Sequence, residues 1–165
     1  MSYIDGESPE IEVFADALIP LLEQKTRNGL RIVLEPGRSI LANSGVLLTR
    51  VQHVKEGREK TFVICDAGMH TLIRPAFYRA FHFAWPVRVE PQHVPPKAAE
   101  RLDLPGLPLC DIVGPICETG DRLGRDRLLP ETREGDVMLI ANAGPYGYAM
   151  SSRYNLREPA EEIML

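Results

Sequence analysis

A single helix-and-strand unit at the head of the chain constrains the fold more than any other feature. Ser8 offers a helix cap, Pro9 a first helical position, and Ile11, Phe14, Ala15, Leu18, Leu21 and Leu22 recur at helical spacing. The spacing predicts an amphipathic helix over residues 8–24. Pro20, which lacks a backbone donor, should kink or tighten it near its end, and Asn28 and Gly29 should stop it. Residues 30–34, Leu-Arg-Ile-Val-Leu, then form a short apolar run with β-branched residues, which suits a strand buried on both faces. A buried parallel strand needs neighbours, and no second unit of this kind follows. The expectation is therefore a strand belonging to a barrel or sheet whose remainder is missing, in a chain truncated at its start.

After the turn Glu35 to Arg38 comes a short helix-compatible stretch, and then the pattern changes. Residues 46–54, 61–66, 83–89, 112–116, 136–141 and 161–165 read as short strands separated by glycine, proline or charge clusters. Such spacing predicts a mainly β fold, a barrel or sandwich following one αβ unit. The boundary falls near Arg38, giving segments 1–38 and 39–165. The proline-rich stretch 90–108 reads as a surface excursion, with one helical turn expected around residues 97–102.

The 165 residues, 44% hydrophobic and 25% charged, are enough for one globular domain with a core. A net charge of -4 with scattered basic residues gives no positive stripe for a phosphate backbone, so nucleic acid is not an expected partner. Cys65, Cys110 and Cys117 form no CxxC pair, no metal-ligand spacing is present, and the odd count points to reduced thiols in the cytoplasm. The opening residues lack a secretory leader's basic and apolar regions, and no stretch approaches the roughly 20 apolar residues of a membrane span.

Four clusters can carry chemistry. In Glu35-Pro36-Gly37-Arg38 a strand end meets a turn whose backbone amides can receive an anion, phosphate being the natural guest. The same residues also make an ordinary strand-to-turn junction. In Asp66 to Tyr78, Arg74 precedes Pro75; a helical turn begun there would bring guanidinium and the Tyr78 phenol onto one ligand, a carboxylate by preference. Otherwise Arg74 is a solvated cation and Tyr78 a core ring. In Gly114 to Asp121, Cys117 and Glu118 stand at a loop tip. A thiol of ordinary pKa, near 8.5, beside a carboxylate stays protonated and suits a proton donor, and Glu118 suits an ammonium group. The plainer alternative is a small hydrophobe closing a strand beside an exposed acid. Finally, Tyr146 between Gly144 and Gly147 can reach a ligand, whereas Tyr148 and Tyr154 are expected to pack.

Taken together, LEPGRSILANSGVLLTRV, DAGMHTLIRPAFY, DIVGPICETGD and GPYGYAMSSRYN, in this order, resemble the diaminopimelate decarboxylases among fold-type III pyridoxal-phosphate enzymes. These are related to the ornithine and arginine decarboxylases. The resemblance implies a parent with an N-terminal (β/α)8 barrel and a C-terminal, Greek-key-like β-barrel domain. The leftover αβ unit becomes the last one of the (β/α)8 barrel, and the site is completed across a homodimer interface.

It further implies that pyridoxal 5'-phosphate is the cofactor, with Glu35 at the pyridine nitrogen and Gly37, Arg38 and Tyr146 at the phosphate. Arg38, Arg74 and Tyr78 would hold the distal carboxylate of meso-diaminopimelate, Tyr146 lying beside them, and Glu118 its distal ammonium. Cys117, from the opposite subunit, would protonate the α-carbon to give L-lysine. The Cys-Glu pair favours diaminopimelate, since relatives acting on diamine precursors show Cys-Asp.

Two departures stand out. The loop reads GPYG where GAYG is usual, and Pro145 removes a backbone donor. The family's cofactor-binding lysine belongs to the barrel's early strands, and Lys25, Lys55, Lys60 and Lys97 have no matching context and read as solvated surface residues. Besides a decarboxylase half completed by a missing N-terminal barrel, two alternatives follow: a non-catalytic regulatory or dimerising homologue, and a related ornithine- or arginine-type decarboxylase.

Overall fold

The computed structural model describes residues 9–165, so the expected cap Ser8 lies outside the described residues. Helix α1 runs Ile11–Arg27, starts after Glu10 without a side-chain cap, and carries Pro20 inside it. Gly29, with φ 85°, ends it by donating to the Thr26 carbonyl at 2.9 Å, as the sequence predicts. None of its residues is buried, and Ile11, Phe14 and Leu21 are about half exposed or more. The amphipathic face therefore has no cover among the described residues.

Residues 30–34 do not form the expected strand. They are irregular, with Leu30, Val33 and Leu34 largely exposed. A strand exists only where a neighbour completes its backbone hydrogen bonds, and none of the described strands pairs with this segment. The helix-compatible stretch does fold as read: α2, Gly37–Leu41, passes into a 3-10 turn at Ala42–Ser44.

The body of the chain is a six-stranded sheet of β1 (Leu47–Glu56), β2 (Thr61–Cys65), β3 (Ala84–Pro86), β4 (Leu109–Val113), β5 (Arg122–Leu128) and β6 (Val137–Ile140). The spatial order is β3-β6-β1-β2-β4-β5, with β2 and β4 parallel and every other pair antiparallel. Leu47, Thr49 and Val51 alternate inward along β1, and Leu47 faces Ile140 across the β1/β6 ladder. The edge strands approach each other: Phe81, Phe83 and Trp85 face Leu128 and Leu129 across a small cavity, and the Arg127 guanidinium lies 4.2 Å from the Phe81 ring. The sheet thus rolls into a nearly closed barrel around Val51, Val63, Leu72, Ile112, Leu123, Met138 and Ile140. Helix α3, Arg74–Tyr78, packs near β5.

Several expectations need correction. Strand β5 lies outside the expected strands because Arg122 to Leu128 is rich in charge and has no apolar alternation, only Leu123 and Gly124 being buried. Strand β4 begins and ends earlier than residues 112–116, stopped by Gly114 and Pro115. Residues 161–165 are exposed and form no strand, having no sheet edge beside them, and residues 97–102 form no helical turn; a 3-10 turn occurs instead at Pro91–His93.

Lys60 is not a solvated surface residue. The carboxylate of Asp111 is wholly buried and accepts from Lys60 Nζ at 2.9 Å, Arg122 Nη1 at 3.2 Å and the Asp126 amide at 2.8 Å. This network ties β2, β4 and β5 together, because a buried carboxylate must be paired and hydrogen-bonded.

Two buried histidines give the fold a pH dependence. Desolvation holds His70 and His82 below the ordinary histidine range, although the Ala141 carbonyl at 3.0 Å from His82 Nδ1 opposes this. Between the lowered folded-state value and about 6.5 the unfolded chain binds more protons, so stability rises with pH there and falls as pH drops. The melting temperature is expected to fall between pH 7 and pH 5, and His82→Gln to flatten that slope. Burial shifts Asp121 upward, so its contribution has the opposite sign, declining as pH rises above the ordinary aspartate value.

Candidate functional site

Arg74 opens α3 with Pro75 at its first turn, and the helix ends at Arg79 in a left-handed conformation with φ 54°. That short helix brings together what the sequence suggested. The Arg74 guanidinium lies 4.2 Å from the Tyr146 ring and 5.5 Å from the Tyr78 ring. Arg74 is buried, so its charge is held between two aromatic faces, where cation-π attraction is strengthened by desolvation. Tyr78 is more than half exposed and is not a core ring.

Tyr146 is fixed by its loop. The Ala143 amide donates to the Gly45 carbonyl at 3.0 Å, and a Cβ on Gly144 would lie 2.4 Å from the Leu41 carbonyl oxygen. Only glycine permits that contact, which seats the tyrosine loop against the end of α2. At the other end of α2, Glu35, Pro36, Gly37 and Arg38 are all exposed, and the Gly37 amide donates to the Glu35 carbonyl at 2.9 Å. A Cβ on Gly37 would meet nothing within 4 Å, so the turn has open space beside it.

Cys117 and Glu118 stand exposed on the loop between β4 and β5. Two residues from the chain's last segment meet them: Tyr154 Oη donates to Glu118 Oε1 at 2.6 Å, and Asn155 Nδ2 donates to Cys117 Sγ at 3.4 Å. The Glu118 carboxylate raises the Tyr154 pKa, keeping the phenol a donor. Tyr154 was expected to pack and does not; neither does Tyr148. Nothing in the spacing could have announced the Tyr154 and Asn155 contacts, which join residues 36 and 38 positions apart. The segment is anchored by the Ser152 amide donating to the His70 carbonyl at 2.8 Å.

Glu118 and Tyr154 line an open cleft of about 280 Å³ together with Met69, Ile73, Gly120 and Ser152. Ile73 directly precedes Arg74, so the acid loop and the loop leading to the arginine share one wall. Among the described residues no cluster of metal-ligating side chains occurs, and no helix is long and apolar enough to cross a membrane.

The three thiols are sharply distinguished. Desolvation pushes Cys65 up to about 12 and Cys110 up to about 11, whereas Cys117 is exposed. Iodoacetamide at pH 8 is expected to alkylate Cys117 alone in the native chain, with Cys65 and Cys110 labelled only after denaturation; peptide mass spectrometry reads the sites.

Comparison with known proteins places this architecture. Residues 5–144 match the family described as "Pyridoxal-dependent decarboxylase, C-terminal sheet domain". A diaminopimelate decarboxylase of Neisseria meningitidis serogroup A is 44% identical over 163 residues, 99% of this chain and 36% of that protein. A crystal structure of diaminopimelate decarboxylase from M. jannaschii in co-complex with L-lysine superposes with a TM-score of 0.75 at 34% identity, covering 94% of this chain and 33% of that one. The corresponding Helicobacter pylori enzyme complexed with L-lysine gives 0.73 at 35% identity, over 94% and 34%. The chain spans about a third of the length of the relatives it matches. With its rolled six-stranded sheet and a match over most of its length, it belongs to the family of pyridoxal-dependent decarboxylase C-terminal sheet domains.

Proposed function

We propose that this chain supplies the C-terminal share of the active site of a diaminopimelate decarboxylase, converting meso-2,6-diaminopimelate to L-lysine and CO2 in cytoplasmic lysine biosynthesis. The observation that carries this is the 40–44% identity, over nearly the whole chain, to relatives that bear that name. The likeness to a lysine/ornithine decarboxylase is only 22% identical and speaks for the fold alone.

The donor set fits pyridoxal 5'-phosphate. Glu35 is an acid suited to a pyridine nitrogen; the Arg38 backbone and the Tyr146 phenol suit a phosphate, and the open space at Gly37 leaves room beside the turn. When bound, the cofactor supplies an electron sink for the pair left behind as CO2 departs. Gly37 and the Arg38 backbone would hold the phosphate, with Tyr146 adding a contact.

Arg38, Arg74 and Tyr78 bind the distal carboxylate of the substrate. Arg74 is preset for this between its two rings, so little side-chain freedom is lost on binding. Glu118, steadied by Tyr154, pairs with the distal ammonium. Cys117 gives its proton to the α-carbon and Asn155 donates to the sulfur. In this reading Cys117 and Glu118 act in the site of a second copy, in a homodimer, and a lysine outside this chain carries the cofactor. Lys60, engaged with Asp111 and Asp126, is unsuited to that role.

The reading is tested in a lysine auxotroph lacking diaminopimelate decarboxylase. A relative whose C-terminal third is replaced by this chain should restore growth without lysine; a chimera that accumulates, folds and fails to restore growth would overturn the proposal.

A further inference from the structure

Asp121 bridges two loops of this chain that carry site residues, the one leading to Arg74 and the one bearing Cys117 and Glu118. It is 3% exposed and closes the loop carrying Cys117 and Glu118. Its Oδ1 accepts from the Met69 amide at 2.6 Å and its Oδ2 from the Ile116 amide at 2.6 Å. Met69 lies on the loop that leads to Arg74, and Ile116 immediately precedes Cys117. The Asp121 backbone adds two more bonds within its own loop: its amide donates to the Glu118 carbonyl at 3.0 Å, and its carbonyl accepts from the Gly114 amide at 3.1 Å.

The surroundings are shaped to this carboxylate. A Cβ on Gly68 would lie 2.5 Å from Asp121 Oδ1, and one on Gly114 would lie 2.4 Å from Oδ2 and 2.5 Å from the Gly68 Cα. Two backbones therefore approach each other with the carboxylate between them, which neither could do with a side chain. Both donors are N–H groups, so both oxygens must accept. A carboxylate does this; a carboxamide accepts through one oxygen and turns its own N–H groups toward the other amide.

We propose that Asp121 is a positioning residue that locks the Arg74-bearing loop, which serves this chain's own site, to the Cys117-Glu118 loop, which reaches the partner copy's site, and so holds each proton donor in register with the substrate grip it meets across the dimer. The proposal rests on the proposed decarboxylase function for its catalytic consequence and on geometry alone for the lock.

Hydrogen exchange on the intact chain reads the lock directly. Asp121→Asn is expected to speed exchange at the Met69 or Ile116 amide at least tenfold, and Asp121→Ala at both, while the amides of β1 and β6 keep their protection. Gly68→Ala, which retains Asp121 but crowds its carboxylate, should reproduce the effect and serves if Asp121→Ala does not fold. In the assembled enzyme, Asp121→Asn should lower kcat/KM for diaminopimelate at least tenfold with cofactor affinity unchanged, which a general loss of structure would not spare. Unchanged exchange at both amides in the folded variants overturns the lock, and lost protection with full turnover overturns its positioning role. A wild-type assembly that makes no lysine sinks the decarboxylase reading instead, and leaves the lock to be judged by exchange.

Discussion

Replacing Cys117 by alanine in the assembled decarboxylase is expected to lower L-lysine formation by on the order of 10²–10⁴-fold, the usual contribution of a positioned proton donor. The thiol acts after the carbon–carbon bond has broken, so within a single turnover CO2 release should slow less than lysine formation, whereas over many turnovers each CO2 still requires one protonation and the two products fall together. Cys117 is the exposed thiol, it stands at a loop tip, and Asn155 fixes its sulfur at 3.4 Å. Cys117→Ser keeps a hydroxyl donor in that place and should retain more lysine formation than alanine. Equal slowing of both products within a single turnover of Cys117→Ala would move the thiol's role to binding, and unchanged lysine formation would remove it from the chemistry.

Leu72→Ala is expected to have the largest effect on stability. Leu72 is fully buried within the main core cluster, and truncating such a side chain costs about 2–5 kcal/mol through lost transfer energy and the cavity left behind. For a domain of this size the melting temperature moves by about 2–4 °C per kcal/mol. Leu72 also donates its amide to the Gly68 carbonyl at 3.0 Å and stands just before Ile73 and Arg74, so the same cavity lies beneath the arginine loop. Leu48→Ala, at a position 58% exposed on β1, should stay within about 0.5 kcal/mol of wild type. A Leu72→Ala chain that melts with wild type would show that this loop is not seated on the core as described.

The sequence was most informative where local physics decides structure and least where partners distant in the chain do. Strand β1 was readable because its inward positions alternate, and α3 because Pro75 sets the backbone of a first helical turn. Strand β5 was hidden because it is held by ladder bonds to β4 and by the Asp111 network, neither of which leaves an apolar pattern. Residues 30–34 read as a strand because their composition is that of one, yet a strand is a relation between neighbours and the described residues provide none.

The site followed the same rule. Arg74 and Tyr78, four residues apart on one turn, could be paired in advance, whereas Tyr154 and Asn155 reach Cys117 and Glu118 across the fold. Glycines 68, 114 and 144 were visible as letters, but their purpose, letting backbones touch or a carboxylate nest between them, emerges only from the packed structure.

Substrate discrimination decides whether these residues shape a site for diaminopimelate, as proposed. The measurement is product formation by a relative carrying this chain in place of its own C-terminal third, supplied with pyridoxal 5'-phosphate and with meso-diaminopimelate, ornithine or arginine in turn. L-lysine and CO2 are expected from diaminopimelate, with little product from the two substrates that lack a distal carboxylate for Arg74 and Tyr78 to hold. Preferential decarboxylation of ornithine or arginine, or no lysine from a folded, cofactor-loaded chimera, would contradict the proposal.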